Sequence, residues 1–193
     1  MNSVRIVGGA FRRRVLRFPD SIGLRPTPDR VRETLFNWLG QDLDSWHCLD
    51  LFAGSGALGF EAASRGAAEV VLIERDAALA HGLRASQQRL RVETMTVHTA
   101  DALAWMARCA DARFELIFLD PPFSAGLLVP ALAQASRLLV PGGFLYLESG
   151  DALPPPPEGM SPHRQGRAGA VHHELWVRGY TRADDPRGPL PCR

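Results

Sequence analysis

From Cys48 onward, short apolar runs alternate with longer segments whose apolar residues recur at helical spacing. The predicted strands are Cys48–Phe52, Glu69–Ile73, Met95–His98, Phe114–Leu119 and Phe144–Glu148, and the predicted helices are Leu58–Arg65, Ala77–Leu90, Leu103–Cys109 and Leu127–Leu139. Such alternation is typical of βαβ units, in which parallel strands form a sheet with helices on both faces. Weak alternation over Val171–Tyr180 predicts one further, antiparallel strand. The pattern therefore predicts an α/β protein with a doubly wound, mostly parallel sheet.

The first forty residues have a different pattern. Two β-like runs, Val4–Val7 and Val15–Phe18, flank a stretch rich in glycine and arginine and predict a hairpin. A loop over 23–28 follows, and then a helix with Thr27 as predicted N-cap and Pro28 at the first helical position. The apolar face of this helix consists of Val31, Leu35, Trp38 and Leu39. A small hairpin and helix thus precede the main sheet.

Length and composition are those of one globular domain with a small extension. The chain has 193 residues, 46% of them hydrophobic, which is enough to bury a full core. We divide it into an extension (1–40), a main domain (41–180) and a tail (181–193) that we expect to be disordered. No apolar run approaches the roughly 20 residues of a membrane span, and the N-terminus lacks a secretory layout. With three unpaired-looking cysteines, these features favour a cytoplasmic protein without a membrane or metal partner.

Positive charge is concentrated in the extension. Residues 1–40 contain eight arginines and three acidic residues, whereas the whole chain has a net charge of only +1. A basic arm on a near-neutral body is typical of proteins that bind nucleic acid phosphates. The arginines that we expect to contact RNA are Arg5, Arg12, Arg13, Arg14 and Arg17. The alternative interpretation of Arg12–Arg14 is an ordinary solvated turn.

A glycine-rich loop follows the first strand of the alternating region. Asp50 precedes Gly54-Ser55-Gly56 and Gly59, which form Gly-x-Gly-x-x-Gly between a predicted strand and a predicted helix. Glycines let the backbone approach a ligand closely, and Glu74 at the end of the next strand can accept both hydroxyls of a ribose. Asp101, after the third strand, can accept an adenine amino group. The loop therefore predicts a nucleoside-containing cofactor, and a tight turn without a ligand is the alternative.

The fourth predicted strand, Phe114–Leu119, ends in Asp120-Pro121-Pro122-Phe123. Two prolines cannot donate to a sheet ladder, so the strand stops there and leaves a carboxylate, two rigid carbonyls and an aromatic ring at its carboxyl end. Open α/β sheets bind ligands at that edge. This corner suits a planar base that is held by its exocyclic amine. Dehydrogenases, which bind dinucleotides, do not need such a corner for hydride transfer. Together with Asp50, which can reach a cationic amino-acid group, it favours S-adenosylmethionine over a dinucleotide.

The loop and the corner together resemble the class I amino-methyltransferases, and the finer match is to the RsmD family. The matching segments are Val4–Gly9, Gly23–Thr27, Asp29–Leu39, Cys48–Gly59 and Asp120–Phe123, within a resemblance that covers roughly residues 4–180. The resemblance implies a Rossmann-like, seven-stranded sheet and methylation of N2 of a guanine in small-subunit (16S) ribosomal RNA. It also implies a catalytic corner at Asp120, Pro121, Pro122 and Phe123. The cofactor residues that it implies are Asp50, Gly54, Ser55, Gly56, Glu74, Arg75, Asp101, Ala102, Arg25 and Thr27.

Other functions stay open at this point. An adenine-N6 methyltransferase uses the same corner motif, but it usually needs a sizeable target-recognition domain. A protein glutamine methyltransferase is a weaker candidate, since that class typically has asparagine where Asp120 stands. A non-catalytic ribosome-assembly factor could keep the fold and bind RNA. Under the leading hypothesis the partner is small-subunit rRNA in a partly assembled particle, S-adenosylhomocysteine is the product, and the protein is a monomer.

Overall fold

The computed structural model of the chain describes residues 2–21, 24, 26–122 and 126–180. The helices are α1 (Asp29–Trp38), α2 (Ala57–Ser64), α3 (Ala77–Leu90), α4 (Ala102–Met106) and α5 (Leu128–Leu138). The strands are β1 (Asn2–Arg5), β2 (Val15–Phe18), β3 (His47–Asp50), β4 (Glu69–Glu74), β5 (Met95–Thr99), β6 (Phe114–Leu119), β7 (Leu139–Ser149), β8 (Met160–Ala168) and β9 (Val171–Arg178). Within the described residues, β1 and β2 form a separate antiparallel hairpin and the other seven strands form one sheet.

The order of the strands in the large sheet is β5-β4-β3-β6-β7-β9-β8. The first five strands of this order are parallel, and β9 and β8 close the sheet in antiparallel pairing. The predicted doubly wound, mostly parallel, seven-stranded sheet is therefore confirmed. The order reverses between β4-β3 and β6-β7, and ligands bind at the carboxyl ends of strands on either side of such a reversal.

Two apolar layers cover the faces of the sheet. One layer packs the hairpin, α1, α2 and α3 against one face, and the other packs α4 and α5 against the opposite face. Because both faces are covered, the central strands β4 and β6 are apolar runs interrupted only by glutamates at or near their ends, rather than alternating sequences. Among the helices that the structure describes, none has the length and apolar character to cross a membrane.

Several details of the predicted elements are wrong: β7 begins at Leu139 rather than Phe144, α4 ends at Met106 rather than Cys109, and three further differences concern β8, β1 and Thr27. The strand β8 was not predicted, because its sequence is mostly polar and exposed and contains a proline, which its edge position in the sheet tolerates. The first strand covers Asn2–Arg5 rather than Val4–Val7. Thr27 is not the N-cap of α1: Pro28 occupies that position without a side-chain cap. The Thr27 hydroxyl instead donates to Glu148 Oε1 at 2.7 Å, so its side chain is oriented toward the buried carboxylate of β7.

A buried ionic network joins the hairpin to the large sheet. Glu61 of α2 is fully buried, and its carboxylate accepts from the backbone N–H groups of Val7 and Gly8 at 2.9 and 2.7 Å. The guanidinium groups of Arg32 and Arg65 each donate to it at 3.0 Å. One carboxylate therefore fixes the chain that leaves β1 and two helices at once, and it leaves neither arginine as an isolated buried charge.

Candidate active site

Acidic side chains gather at the carboxyl ends of β3, β6 and β7. Phe118 of β6 pairs with Tyr146 of β7 on one side and with Asp50 of β3 on the other. Asp120 and Glu148 each stand two positions beyond this row, so their side chains leave the same face of the sheet as Asp50. The register thus brings together three carboxylates that are far apart in the sequence.

The glycine loop lies beside these carboxylates. Gly54 and Gly56 have φ angles of +50° and +79°, a region that side chains other than glycine's rarely adopt. A Cβ on Gly54 would stand 2.7 Å from Leu24 Cδ1, in the segment before α1. Asp50 Oδ2 accepts from the backbone N–H of Gly59 at 3.1 Å and so ties the end of the loop to β3. This backbone fits a cofactor that needs a close approach to the main chain.

Glu74 lies at the end of β4, where the sequence predicts a ribose ligand. It is buried, and its two oxygens accept from the N–H groups of Gly54 and Asp76, both at 2.8 Å. A carboxylate oxygen can accept more than one hydrogen bond, so these contacts orient Glu74 and leave capacity for hydroxyl groups. Arg75, directly after it, is exposed. The role of both residues toward a cofactor stays a prediction.

The remaining cofactor candidates have local roles of their own. The Asp101 side chain caps α4 by accepting from Ala104 N–H at 2.9 Å, and it is exposed. Ala102 is buried in the first turn of that helix. Ser55 is buried, and its hydroxyl accepts from Ala57 N–H at 3.3 Å. Arg25 lies outside the described residues, as does Phe123 of the corner. Pro121 is buried and Pro122 is exposed.

Glu148 is a site residue that sequence reasoning missed. Its Oε1 accepts from Thr27 Oγ1 at 2.7 Å and from the Tyr146 hydroxyl at 2.9 Å. The sequence does contain one signal for Glu148: it lies at the carboxyl end of a buried strand, like Glu74 and Asp120. It was overlooked because no motif includes it.

Burial raises the pKa of all three carboxylates, and neighbouring acids add to the shifts of Asp50 and Asp120. Burial raises the pKa of Asp50 to about 7, against hydrogen bonds from the backbone of Gly59 and Phe52, with Glu74 and Glu148 contributing. Burial also raises the pKa of Asp120 well above its usual value, with further contributions from Glu148 and then Asp50. The pKa of Glu148 is raised by burial, and its two hydroxyl donors oppose that shift. Such a cluster favours a ligand that carries positive charge or several N–H donors.

Removing the charge of Asp50 should stabilise the protein in alkaline solution. Its pKa is raised above the unfolded value, so its contribution to stability is full below pH 4 and is lost as the pH rises toward 7. We expect Asp50→Asn to raise the free energy of unfolding by about 1–2 kcal/mol at pH 8 and to change it little at pH 4. Urea denaturation at both pH values measures this. A variant that is less stable than the wild type at pH 8 would contradict the assignment.

The arginines of the hairpin are all exposed. Arg5 pairs with Asp29 at 2.9 Å. Arg12–Arg14 form a tight turn that is closed by backbone hydrogen bonds, with Arg13 at φ +69°. Among the described residues, no acidic side chain pairs with Arg12, Arg13, Arg14 or Arg17. These guanidinium groups are therefore available to solvent and to anions.

A groove of about 330 Å³ connects the hairpin with the segment before α1. Its lining includes Arg5 of β1, Val15 of β2 and Thr27. Thr27 is thus a lining residue of the groove whose hydroxyl donates to Glu148 of the carboxylate cluster. In the described part of the chain, no group of three His, Cys, Asp or Glu residues is placed to hold a metal ion.

Comparisons with known proteins show the family of the chain. A family model described as conserved hypothetical protein 95 matches residues 4–177. The ribosomal RNA small subunit methyltransferase D of Escherichia coli (strain K12) is 43% identical over 179 residues, which cover 91% of this chain and 90% of that protein. The chain belongs to the RsmD family. The resemblance inferred from the sequence is confirmed.

Other RsmD-family proteins are similar along their whole length. The protein of the same name from Haemophilus influenzae is 38% identical, over 90% of this chain and 93% of that protein. A solved structure, described as putative methyltransferase yhhF from Escherichia coli, has a TM-score of 0.84 and 40% identity, and the match covers 93% of this chain and all of that one. The residues that the family model matches, 4–177, include most of the hairpin as well as the large sheet.

Proposed function

We propose that this protein transfers a methyl group from S-adenosylmethionine to the exocyclic N2 amine of a guanine in small-subunit ribosomal RNA. The observation that carries the proposal is the position of Asp120 and Pro121 at the carboxyl end of β6, beside the glycine loop and within a cluster of carboxylates. The names of the RsmD-family relatives support the substrate.

The cofactor would be held by the chain's own loop and strand ends. Gly54 and Gly56 would give it backbone contact, Glu74 would accept the ribose hydroxyls, and Asp101 would accept the adenine amine. Asp50 would face the cationic amino-acid group. The cofactor supplies an electrophilic methyl group on a sulfonium and leaves as S-adenosylhomocysteine, so the protein needs no metal and no strong general base.

The corner at Asp120 would activate the amine. The N2 lone pair of guanine is delocalised into the ring, which makes the amine a poor nucleophile. When the Asp120 carboxylate and the Pro121 carbonyl each accept one N–H, the nitrogen becomes more tetrahedral and its lone pair points at the methyl group. Phe123 would stack on the extruded base. After transfer the extra proton leaves the nitrogen for Asp120 or for water. In-line positioning supplies most of the acceleration.

The hairpin arginines would bind RNA phosphates. We expect replacement of Arg12, Arg13 and Arg14 by glutamine to weaken rRNA binding about tenfold or more at 0.1 M salt. The slope of log affinity against log salt concentration should become shallower by about 2–3, because RNA binding releases about one counterion fewer for each phosphate contact that is lost. The matched control replaces three other exposed arginines: Arg91, Arg108 and Arg164. Equal affinities and slopes for the two triple variants would exclude the hairpin as the RNA-binding arm.

A transfer assay tests the proposal against its rivals. Purified protein is incubated with methyl-labelled S-adenosylmethionine and either naked 16S rRNA or partly assembled small-subunit particles from cells that lack the gene. The nucleosides are then separated. Labelled N2-methylguanosine is the expected product. We expect the partly assembled particle to be a better substrate than naked rRNA. We also expect the enzyme to be monomeric and to act in the cytoplasm. Labelled N6-methyladenosine would favour the adenine enzyme, and absence of both transfer and cofactor binding would favour an assembly factor.

A further inference from the structure

Glu148 is a buried carboxylate that the mechanism above does not use. Glu148 is only 5% exposed. Among the described residues, no arginine or histidine forms an ion pair with it. Burying an acid in this way is costly without compensation. Glu148 therefore lowers the stability of the fold at the carboxyl end of β7, as functional groups in binding sites commonly do.

The hydrogen bonds of Glu148 are one-sided. Thr27 and Tyr146 both donate to Oε1, and no other described group donates to Oε2. Two donors on one oxygen fix the orientation of the carboxylate. The second oxygen is left with its full acceptor capacity. Glu148 and Asp120 directly follow the paired residues Leu147 and Leu119, so they lie next to each other at the ends of β7 and β6.

Two neighbouring carboxylates match the edge of one nucleobase. Guanine presents N1–H and the N2 amine side by side, so it offers adjacent donors. Adenine presents a bare N1, which is an acceptor, beside its N6 amine. An acceptor next to the amine-binding carboxylate therefore attracts guanine and repels adenine, since it leaves adenine's N1 facing a buried oxygen of like polarity.

We infer that Glu148 determines specificity by accepting the N1–H of the target guanine while Asp120 holds its N2 amine. This inference rests on the proposed function. Thr27 and Tyr146 are positioning residues, because their hydroxyl groups aim the free oxygen of Glu148 at the base. The segment before α1 thereby takes part in base selection through Thr27.

The test combines a protein change with a change of the base. Once the target guanine is mapped, rRNA fragments are made with guanine or with 2-aminopurine there; 2-aminopurine keeps the N2 amine and lacks the N1–H. We expect Glu148→Gln to lower kcat/KM on the guanine fragment about 100-fold, because a donor replaces an acceptor. On the 2-aminopurine fragment the same substitution should lower kcat/KM less than threefold. Cofactor affinity should stay within twofold.

The outcomes separate the two claims. If the wild type forms no N2-methylguanosine at all, the proposed function fails. If it does, and Glu148→Gln slows both fragments equally or neither, the inference fails and the function stands. Glu148→Asp keeps the charge but moves the acceptor back by the length of one methylene group. If the glutamine variant does not fold, the aspartate variant is compared with the wild type on the same two fragments. Equal wild-type rates on both fragments would overturn the inference without any variant. Glu93→Gln, on the surface, is the control.

Discussion

Asp120→Ala should reduce methyl transfer at least about 1,000-fold while the cofactor binds within about threefold of the wild-type affinity. The hydrogen bond from the amine to the carboxylate strengthens as the nitrogen becomes nucleophilic, so its loss acts mainly on the transition state, and the cofactor does not depend on it. Single-turnover transfer to rRNA measures the first quantity, and calorimetry with S-adenosylmethionine measures the second.

Two further variants sharpen this prediction. Asp120→Asn keeps one acceptor of similar shape, so we expect a rate between those of the wild type and the alanine variant. Asp151→Ala removes an exposed acid just beyond the end of β7, and we expect it to leave transfer unchanged. Normal turnover by Asp120→Ala, or an equal loss in Asp151→Ala, would exclude the proposed activation of the amine.

Glu61→Ala should lower the free energy of unfolding by about 3–5 kcal/mol. It removes the acceptor for two backbone N–H groups and leaves Arg32, which is fully buried, without its carboxylate at 3.0 Å. Arg32 keeps contact with Asp29, so we expect the variant to fold at reduced stability. Urea denaturation measures the change.

The control for Glu61 is another glutamate in an ion pair. Glu69 pairs with Arg113 near the surface, where both side chains are at least 33% exposed, and Glu69→Ala should cost about 1 kcal/mol or less. If the two variants lose equal stability, the buried network does not anchor the hairpin. The comparison holds charge and residue type constant and varies burial.

The parallel part of the fold could be predicted because its strands are buried on both faces. Phe114–Leu119 was predicted with its observed bounds, because a short and mostly apolar run between turn signals is typical of a buried strand. The strand β8 could not be predicted in this way. Six of its nine residues are exposed, and its pairing with β9 depends on backbone hydrogen bonds rather than on apolar side chains.

The candidate site was predictable where local chemistry marks it. Positive φ at Gly54 and Gly56 strongly favours glycine, and Asp120 stands directly before two prolines. Glu148 belongs to no motif, and its only local signal is its place near the end of a buried strand. It belongs to the site because β7 lies next to β6 in the sheet and because Thr27, 121 residues earlier, bonds to it. Contacts of that separation follow from the tertiary fold and not from spacing along the chain.

The most direct measurement is mass spectrometry of small-subunit rRNA nucleosides from cells with and without this gene, with the modified position mapped by primer extension. We predict the loss of one N2-methylguanosine, its restoration by the wild-type gene and no restoration by Asp120→Ala. An unchanged N2-methylguanosine content, or full restoration by Asp120→Ala, would contradict the proposed function at the substrate or at the catalytic corner respectively.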